Sequence, residues 1–215
     1  EDDQTLDGEF YLEEKERPGE LLPIDEDEYG TYIMNSRDIC LIDYLAELKD
    51  AGIVSFKVEG RSKTVNYLAG VGLAYRKAMD SLEKGESYDV NLLSKELFAI
   101  SNRGYTPGFL VWNPGEKGIY WEKNIEMKEE DFIGIVRWYD PITKRATIEV
   151  KNRFDIGDTL RLISPTKEFS FELKEIFSPN GEVLSCASGG HYNVTINMEE
   201  DPGQYALLRR KIGNL

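Results

Sequence analysis

The sequence predicts an α/β segment, similar to part of a barrel, followed by a small all-β domain. Residues 53–61 alternate apolar and polar side chains, as a strand does, and they lie between two segments of helical periodicity. From Phe132 onward the periodicity is two, with turn residues at short intervals. A chain of 215 residues with 40% hydrophobic content is long enough for two small domains with cores.

The net charge of −14 is concentrated at the start of the chain. Residues 1–30 hold 13 acidic and 2 basic residues, which leaves a net charge of only −3 for the remainder. An acidic segment repels phosphate backbones, so we expect no non-specific affinity for nucleic acids, while local contacts with RNA stay open.

The composition also bears on location. The sequence has no apolar run of about 20 residues and no secretory leader, so we expect no membrane partner and a cytoplasmic protein. Its two cysteines, Cys40 and Cys186, are too few for a disulfide framework and favour a reducing compartment.

The first elements precede residue 53. Residues 9–15 are a candidate strand, and residues 35–38 offer capping side chains for a helix that ends at Gly52. Cys40 would lie in the first turn of that helix, where free N–H groups favour a thiolate. Metal ligation, redox chemistry and a role as a small buried hydrophobe all stay open for this cysteine.

The central predicted strand is residues 53–61, with the sequence IVSFKVEGR. Lys57 and Glu59 project from the face opposite Val54, Phe56 and Val58. Both faces of a parallel sheet are normally covered, so a polar face predicts a lined cavity at the C-terminal end of the strand. The alternative is an edge strand with a solvated face.

Two further helices are predicted, at residues 62–84 and 87–100. Gly70 and Gly72 lie inside the first of these, where each glycine costs about 1 kcal/mol relative to alanine, which indicates close packing against a neighbour. We place a first domain at residues 1–104, a linker at 105–131, and an antiparallel β-barrel or sandwich at 132–215.

No complete active site follows from the residues alone. The sequence contains no G-x-S-x-G, no H-E-x-x-H, no phosphate-binding loop and no dinucleotide fingerprint.

Several segments resemble the collagenase-like peptidase family U32. The most specific are residues 32–42 (YIMNSRDICLI) and 50–63 (DAGIVSFKVEGRSK). Shorter matches extend the resemblance over almost the whole chain, at residues 16–20, 102–105, 132–136, 152–154, 157–158 and 208–210. The resemblance implies the last portion of a barrel-type catalytic domain, followed by a β-barrel similar to the second domain of elongation factor Tu.

The family resemblance also bears on cofactor and activity. Many members are named as proteases without an assigned catalytic type, and relatives hydroxylate RNA at uridine in tRNA or cytidine in ribosomal RNA. In those relatives four cysteines are thought to hold an iron–sulfur cluster, and Cys40 matches one of them. The other three should lie upstream, so we expect no cluster in this chain alone.

Three functions are compatible with these features. In a peptidase fragment, Lys57, Glu59 and Arg61 would line the catalytic pocket, with Glu59 as acid or base and the cations binding carboxylate or phosphate. In an RNA-modifying enzyme, the β-barrel would contact tRNA. The third is a binding module without activity of its own, which would need the rest of the catalytic domain as its partner. The catalytic interpretation requires Lys57 and Glu59 to lie together in a hollow.

Overall fold

The computed structural model describes residues 10–13, 15–16, 18–19, 21–27, 30–33, 36–61, 63–100, 102–120, 129–190 and 192–212. The chain forms two compact units. The first is Glu1–Leu41 with Asn102–Glu126, and the second is Ile42–Ser101 with Met127–Leu215. Among the helices in the described ranges, none is both long enough and apolar enough to cross a bilayer.

The first unit is built from short strands. Its antiparallel sheet has the order β1-β2-β3, and β1 confirms the strand predicted at residues 9–15. A second, parallel pair joins β4 to β5, and a 3-10 helix follows at Gly115–Gly118. The strands are β1 (Phe10–Glu13), β2 (Leu21–Asp27), β3 (Gly30–Ile33), β4 (Asp38–Ile39) and β5 (Tyr105–Thr106).

The helices of the second unit are α1 (Leu45–Asp50), α2 (Val65–Lys84) and α3 (Val90–Ala99), and a 3-10 helix at Ile42–Tyr44 precedes α1. The Thr64 hydroxyl caps α2 by accepting the N–H of Tyr67 at 3.2 Å, and Gly85 ends it with φ of 76°. The Asp89 carboxylate caps α3 in the same way. Both long helices therefore lie close to their predicted positions.

The helix predicted from residues 35–38 to Gly52 begins later than expected. Asp38 lies in β4 instead of capping a helix, because its carboxylate accepts a hydrogen bond from Arg103 at 3.1 Å. Helical structure begins only at Ile42, and the residue that caps α1, Tyr44, makes no side-chain capping bond. The position predicted for Cys40, in a first helical turn, is therefore wrong.

Where the structure describes the second unit beyond its helices, it has ten strands. Eight of them make one antiparallel sheet in the order β10-β9-β15-β6-β7-β14-β11-β12, and β8 pairs with β13. Their bounds are β6 (Glu130–Asp140), β7 (Arg145–Val150), β8 (Phe154–Asp155), β9 (Thr159–Ile163), β10 (Glu168–Glu172), β11 (Ile176–Phe177), β12 (Val183–Leu184), β13 (Cys186–Ala187), β14 (Asn193–Asn197) and β15 (Leu207–Lys211).

One hydrophobic core fills this sheet. Alternate residues of its strands point inward and are almost fully buried, among them Ile133, Ile148, Leu160, Val194 and Leu208. The predicted fold class, an α/β segment followed by a small antiparallel β domain, is confirmed. The division at residues 104 and 131 stays a prediction about domains, since in space residues 42–101 group with the β domain.

The central strand predicted at residues 53–61 does not form in this chain. Residues 53–60 have no regular secondary structure, and no strand within the described ranges pairs with them. A strand is stabilised by hydrogen bonds to a neighbour and not by its own alternation, so the pattern alone cannot form one.

A buried ionic cluster lies where α2 and α3 pack on the sheet. Arg209 is fully buried and donates to Asn66 at 2.8 Å, to Glu96 at 2.7 Å and to Glu130 at 3.5 Å. Arg161 binds Glu96 as well and lies 2.9 Å from Glu130. We call these five residues the Arg209 cluster. Two carboxylates and one amide meet two cations, so the charges of the buried Arg209 and the partly buried Arg161 are compensated.

Gly70 and Gly72 differ in their packing. A Cβ at Gly70 would lie 2.9 Å from Nη2 of Arg209 and 3.1 Å from Cγ2 of Ile100, whereas a Cβ at Gly72 would meet no atom within 4 Å. The predicted close packing is therefore confirmed for Gly70 and wrong for Gly72.

Candidate functional site

Lys57, Glu59 and Arg61 lie together on an exposed segment. Lys57 Nζ is 3.4 Å from Glu59 Oε2, and these side chains are 84% and 68% exposed. The backbone N–H of Arg61 donates to Glu59 Oε1 at 3.3 Å. The expectation that Lys57 and Glu59 share a hollow is wrong for this chain, because both side chains are exposed and residues 53–60 form no strand. Their catalytic roles stay predictions.

The electrostatics of Glu59 do not favour acid–base chemistry in this arrangement. The hydrogen bond from Arg61, followed by the bond and charge of Lys57, holds the pKa of Glu59 below its ordinary value. A general acid or base works best with a pKa near the working pH, and this shift moves Glu59 away from it. An acid–base role would need a different environment.

The segment ends against the beginning of α2. A Cβ at Gly60 would lie 2.5 Å from Cδ2 of Leu68, and the Gly60 carbonyl accepts the N–H of Lys63 at 2.9 Å. Further back, Val54 is 98% exposed and Val58 is 45% exposed. Phe56, between them, is half-buried. The alternating apolar face is thus anchored at one end and exposed at Val54 and Val58.

Cys40 follows the carboxyl end of the parallel pair. Its N–H donates to the carbonyl of Thr106 at 2.9 Å, which extends the register of β4 and β5 by one step. The buried Asn102 side chain holds the preceding loop by accepting the N–H of Gly104 at 2.9 Å. Carboxyl ends of parallel strands are where α/β folds place their chemistry, so this position suits a functional thiol.

An apolar surface lies beside that strand end in the first unit. Ile39 is 68% exposed and lies against Gly108, and four consecutive large apolar residues after Gly108 are exposed as well. We call these the Phe109 patch: Ile39, Phe109, Leu110, Val111 and Trp112. Contiguous exposed apolar groups of this kind mark interaction surfaces.

The family follows from comparison with known sequences. The model of peptidase family U32 matches residues 5–120, and the model of the U32 C-terminal domain matches residues 128–209. The chain belongs to peptidase family U32. The resemblance expected from its motifs is therefore confirmed.

Several U32 proteins are similar over most of this chain. It is 36% identical over 203 residues to tRNA hydroxylation protein P of Escherichia coli, covering 94% of this chain and 44% of that protein. It is 30% identical over 207 residues to tRNA hydroxylation protein P of Haemophilus influenzae, covering 95% and 45%. The chain thus spans less than half the length of these relatives.

A solved structure is similar to part of the chain. The C-terminal domain of a Geobacillus thermoleovorans U32 peptidase matches with 26% identity and a TM-score of 0.37, and the match covers 38% of this chain and 93% of that domain.

The cysteines of this U32 chain do not suffice for an iron–sulfur cluster. The sequence contains only two cysteines, and a cluster is commonly held by four thiolates. Within the described ranges, no group of three or more His, Cys, Asp or Glu residues could hold a metal ion. Cys40 and Cys186 form no disulfide, and both are half-buried. Any cluster would therefore need ligands from outside this chain.

The sequence alone did not reveal a row of outward-facing side chains on the β-sheet. The register places Trp138 opposite Thr147, Thr147 opposite Thr195, and Thr195 opposite Phe177. Phe177 in turn lies opposite Val183. We call these five residues the Trp138 row. The sequence offered one indication of this row, because Trp138 is an apolar residue on the polar side of its strand. A bulge between Val136 and Trp138 shifts the alternation of the strand at that point, which obscures the indication.

Proposed function

We propose that this chain is the C-terminal portion of a U32 enzyme that takes part in tRNA hydroxylation. The observation that carries the proposal is its 36% identity, over 94% of its length, to a protein named for tRNA hydroxylation. Since tRNA is the substrate, we propose a cytoplasmic location.

Cys40 is the residue of this chain that we propose as a cofactor ligand. Its place at the carboxyl end of a parallel pair supports this role, because side chains at that edge point toward a common site in α/β folds. The other ligands would come from the rest of the whole protein. Cys40 would then contribute one thiolate to a cluster that several segments share.

We further propose that residues 53–60 become a strand in the whole protein. The uncovered Val54 and Val58, together with the unpaired backbone, support this role, because an extended segment with one apolar face needs both a neighbour and a cover. Covering that face would also change the surroundings of Lys57, Glu59 and Arg61, which we retain as candidate catalytic or substrate-binding residues.

The proposal is tested with full-length protein in a strain from which the gene has been deleted. Wild type should restore hydroxylated nucleosides in tRNA, measured by mass spectrometry, and Cys40→Ser should restore none and contain less iron and labile sulfide. Cys186→Ser is the matched control and should behave as wild type. Unchanged iron and unchanged hydroxylation in Cys40→Ser would remove Cys40 from the site.

Peptide hydrolysis is the second candidate function, and the family description is the observation that favours it. A protease needs a nucleophile or an activated water, and the exposed Lys57–Glu59 pair supplies neither. Gelatin cleavage by the purified full-length protein, lost in Glu59→Gln, would establish this function instead. If neither activity depends on the protein, a binding module is the remaining function.

A further inference from the structure

The outward face of the β-sheet in the second unit carries aromatic side chains in an ordered row. Trp138 is 60% exposed at one end, and Phe177 is half-buried three strands away. Because neighbouring strands lie about 4.8 Å apart, these two aromatic positions are about 14 Å from each other. Thr147 and Thr195 lie between them and offer hydroxyl groups on the same surface.

A cation extends the aromatic surface at the Phe177 end. The guanidinium carbon of Arg145 lies over the Phe177 ring, 4.4 Å from its centroid, which is a cation–π contact. Arg145 is exposed, and no ion pair to a carboxylate is formed by it within the described ranges. Its charge and its outer plane are therefore available to a ligand.

The side chains beside one edge of the Trp138 row carry a small net positive charge. Arg137 and Lys151 both bind Glu149, so these three side chains together carry one positive charge. Asp140 and Glu175 flank the other edge, but Asp140 accepts bonds within its own turn and Glu175 accepts one from a neighbouring amide.

We propose that the Trp138 row binds an unpaired segment of RNA. One base stacks on Trp138, another stacks on the guanidinium plane of Arg145, and the threonine hydroxyls lie within reach of the nucleotides between them. Other RNA-binding sheets stack two or three bases on aromatic side chains in this way. The inference that the row binds RNA is independent of the proposed function. Only the identification of that RNA as tRNA rests on the proposed function.

RNA fits this surface better than a protein partner does. A protein-binding patch has a contiguous apolar centre, whereas here two threonines separate the aromatic positions and charged groups lie at both edges. Stacking planes, hydroxyl groups and an unpaired cation match the bases, sugars and phosphates of a single strand. The small number of available cations also fits a contact in which stacking contributes more than charge.

The test is fluorescence anisotropy of a labelled, unpaired 12-nucleotide RNA titrated with the 215-residue chain. Trp138→Ala should weaken binding about fivefold or more, because stacking on an aromatic side chain is worth about 1–3 kcal/mol per base. Trp138→Phe should retain most of the affinity, and Arg145→Met should weaken it. Tyr205→Asn is the matched control, since Tyr205 is 80% exposed and lies outside the row.

Salt dependence provides an independent measurement. With three cations at most near the row, the slope of log affinity against log salt should be no steeper than about −2 for a single strand. The inference is overturned if wild type does not bind, if Trp138→Ala binds as well as wild type, if duplex RNA binds as tightly, or if only capture of a protein partner depends on Trp138. These experiments measure RNA binding and not hydroxylation. Failure of the proposed role in tRNA hydroxylation would therefore be distinguishable from failure of RNA binding by the Trp138 row.

Discussion

Arg209 joins the β-sheet of the second unit to its two long helices. It is fully buried, and its bonds to Asn66 and Glu96 join a strand near the end of the chain to α2 and α3. The neighbouring Arg161 is partly buried, and burial by itself would lower its pKa. Hydrogen bonds to Glu96 and Glu168 outweigh this effect, so the pKa of Arg161 is raised. Such a cluster is weak evidence for net stability, yet breaking it leaves uncompensated buried charge.

Replacing Arg209 by methionine should therefore destabilise the protein by roughly 3 kcal/mol or more, because Glu96 and Glu130 lose a partner in a buried site. Urea unfolding followed by circular dichroism measures the change. Arg210→Met is the matched control on the same strand. Arg210 is 26% exposed, and its ion pairs to Asp131 and Asp158 should contribute only about 1 kcal/mol or less. Equal losses in the two variants would contradict the special role of Arg209.

Gly70 and Gly72 provide a second matched pair. Gly72→Ala should stabilise the protein by about 1 kcal/mol, because alanine favours the helix and its Cβ meets nothing. Gly70→Ala should destabilise it, since its Cβ would press on Arg209 and Ile100, which are both fully buried, and overpacking typically costs about 1–3 kcal/mol. Urea midpoints of both variants measure the difference. A stabilised Gly70→Ala would show that the arginine can shift.

Glu149 makes stability depend on pH. Hydrogen bonds from Lys151 and then from Arg137 lower its pKa to about 2, so its contribution is present above its ordinary pKa of about 4.5 and is lost as the pH falls toward 2. The difference in unfolding free energy between wild type and Glu149→Gln should therefore be constant from pH 7 to 5 and shrink below 4.5. A difference that stays the same down to pH 3 would contradict the shift.

At the level of elements, the two long helices were predictable, whereas the start of the first helix and the central strand were not. The caps of α2 and α3, Thr64 and Asp89, are each three residues from the N–H they bind, so a local pattern contains the needed information. The strand predicted at residues 53–61 requires a neighbour that no local pattern specifies. Asp38 was misread for the same reason, because its partner Arg103 is distant in sequence.

The unpaired segment should be the first site of limited proteolysis in this chain. Trypsin should cut after Lys57 or Arg61 before it cuts after Arg76 or Lys77 in α2, because cleavage requires an extended, accessible backbone. Mass spectrometry of the early fragments identifies the cut. In the full-length protein the same bonds should be protected if the segment becomes a strand. Equal cleavage rates in both proteins would refute its role as a covered strand.

At the level of the whole molecule, the sequence indicated the kinds of elements but not their grouping. The change to a period of two at Phe132 correctly indicated a run of antiparallel strands, and the U32 motifs correctly indicated the family. The Arg209 cluster joins residues up to 143 positions apart, and the Trp138 row depends on the register of five strands. Pairings over such separations leave no local periodicity, so neither could be predicted.

The Phe109 patch makes a prediction about the chain as a whole. Exposed contiguous apolar groups bind hydrophobic dyes, so the 215-residue chain should enhance the fluorescence of anilinonaphthalene sulfonate while retaining a cooperative thermal transition. Phe109→Ser should lower the dye signal without lowering the melting temperature, because Phe109 is 79% exposed. Ile142→Ser is the control, since Ile142 is 90% exposed and lies in a turn outside the Phe109 patch. The full-length protein should bind less dye per molecule if the rest of the domain covers the patch, whereas an equal signal would mean that the patch stays open for another partner.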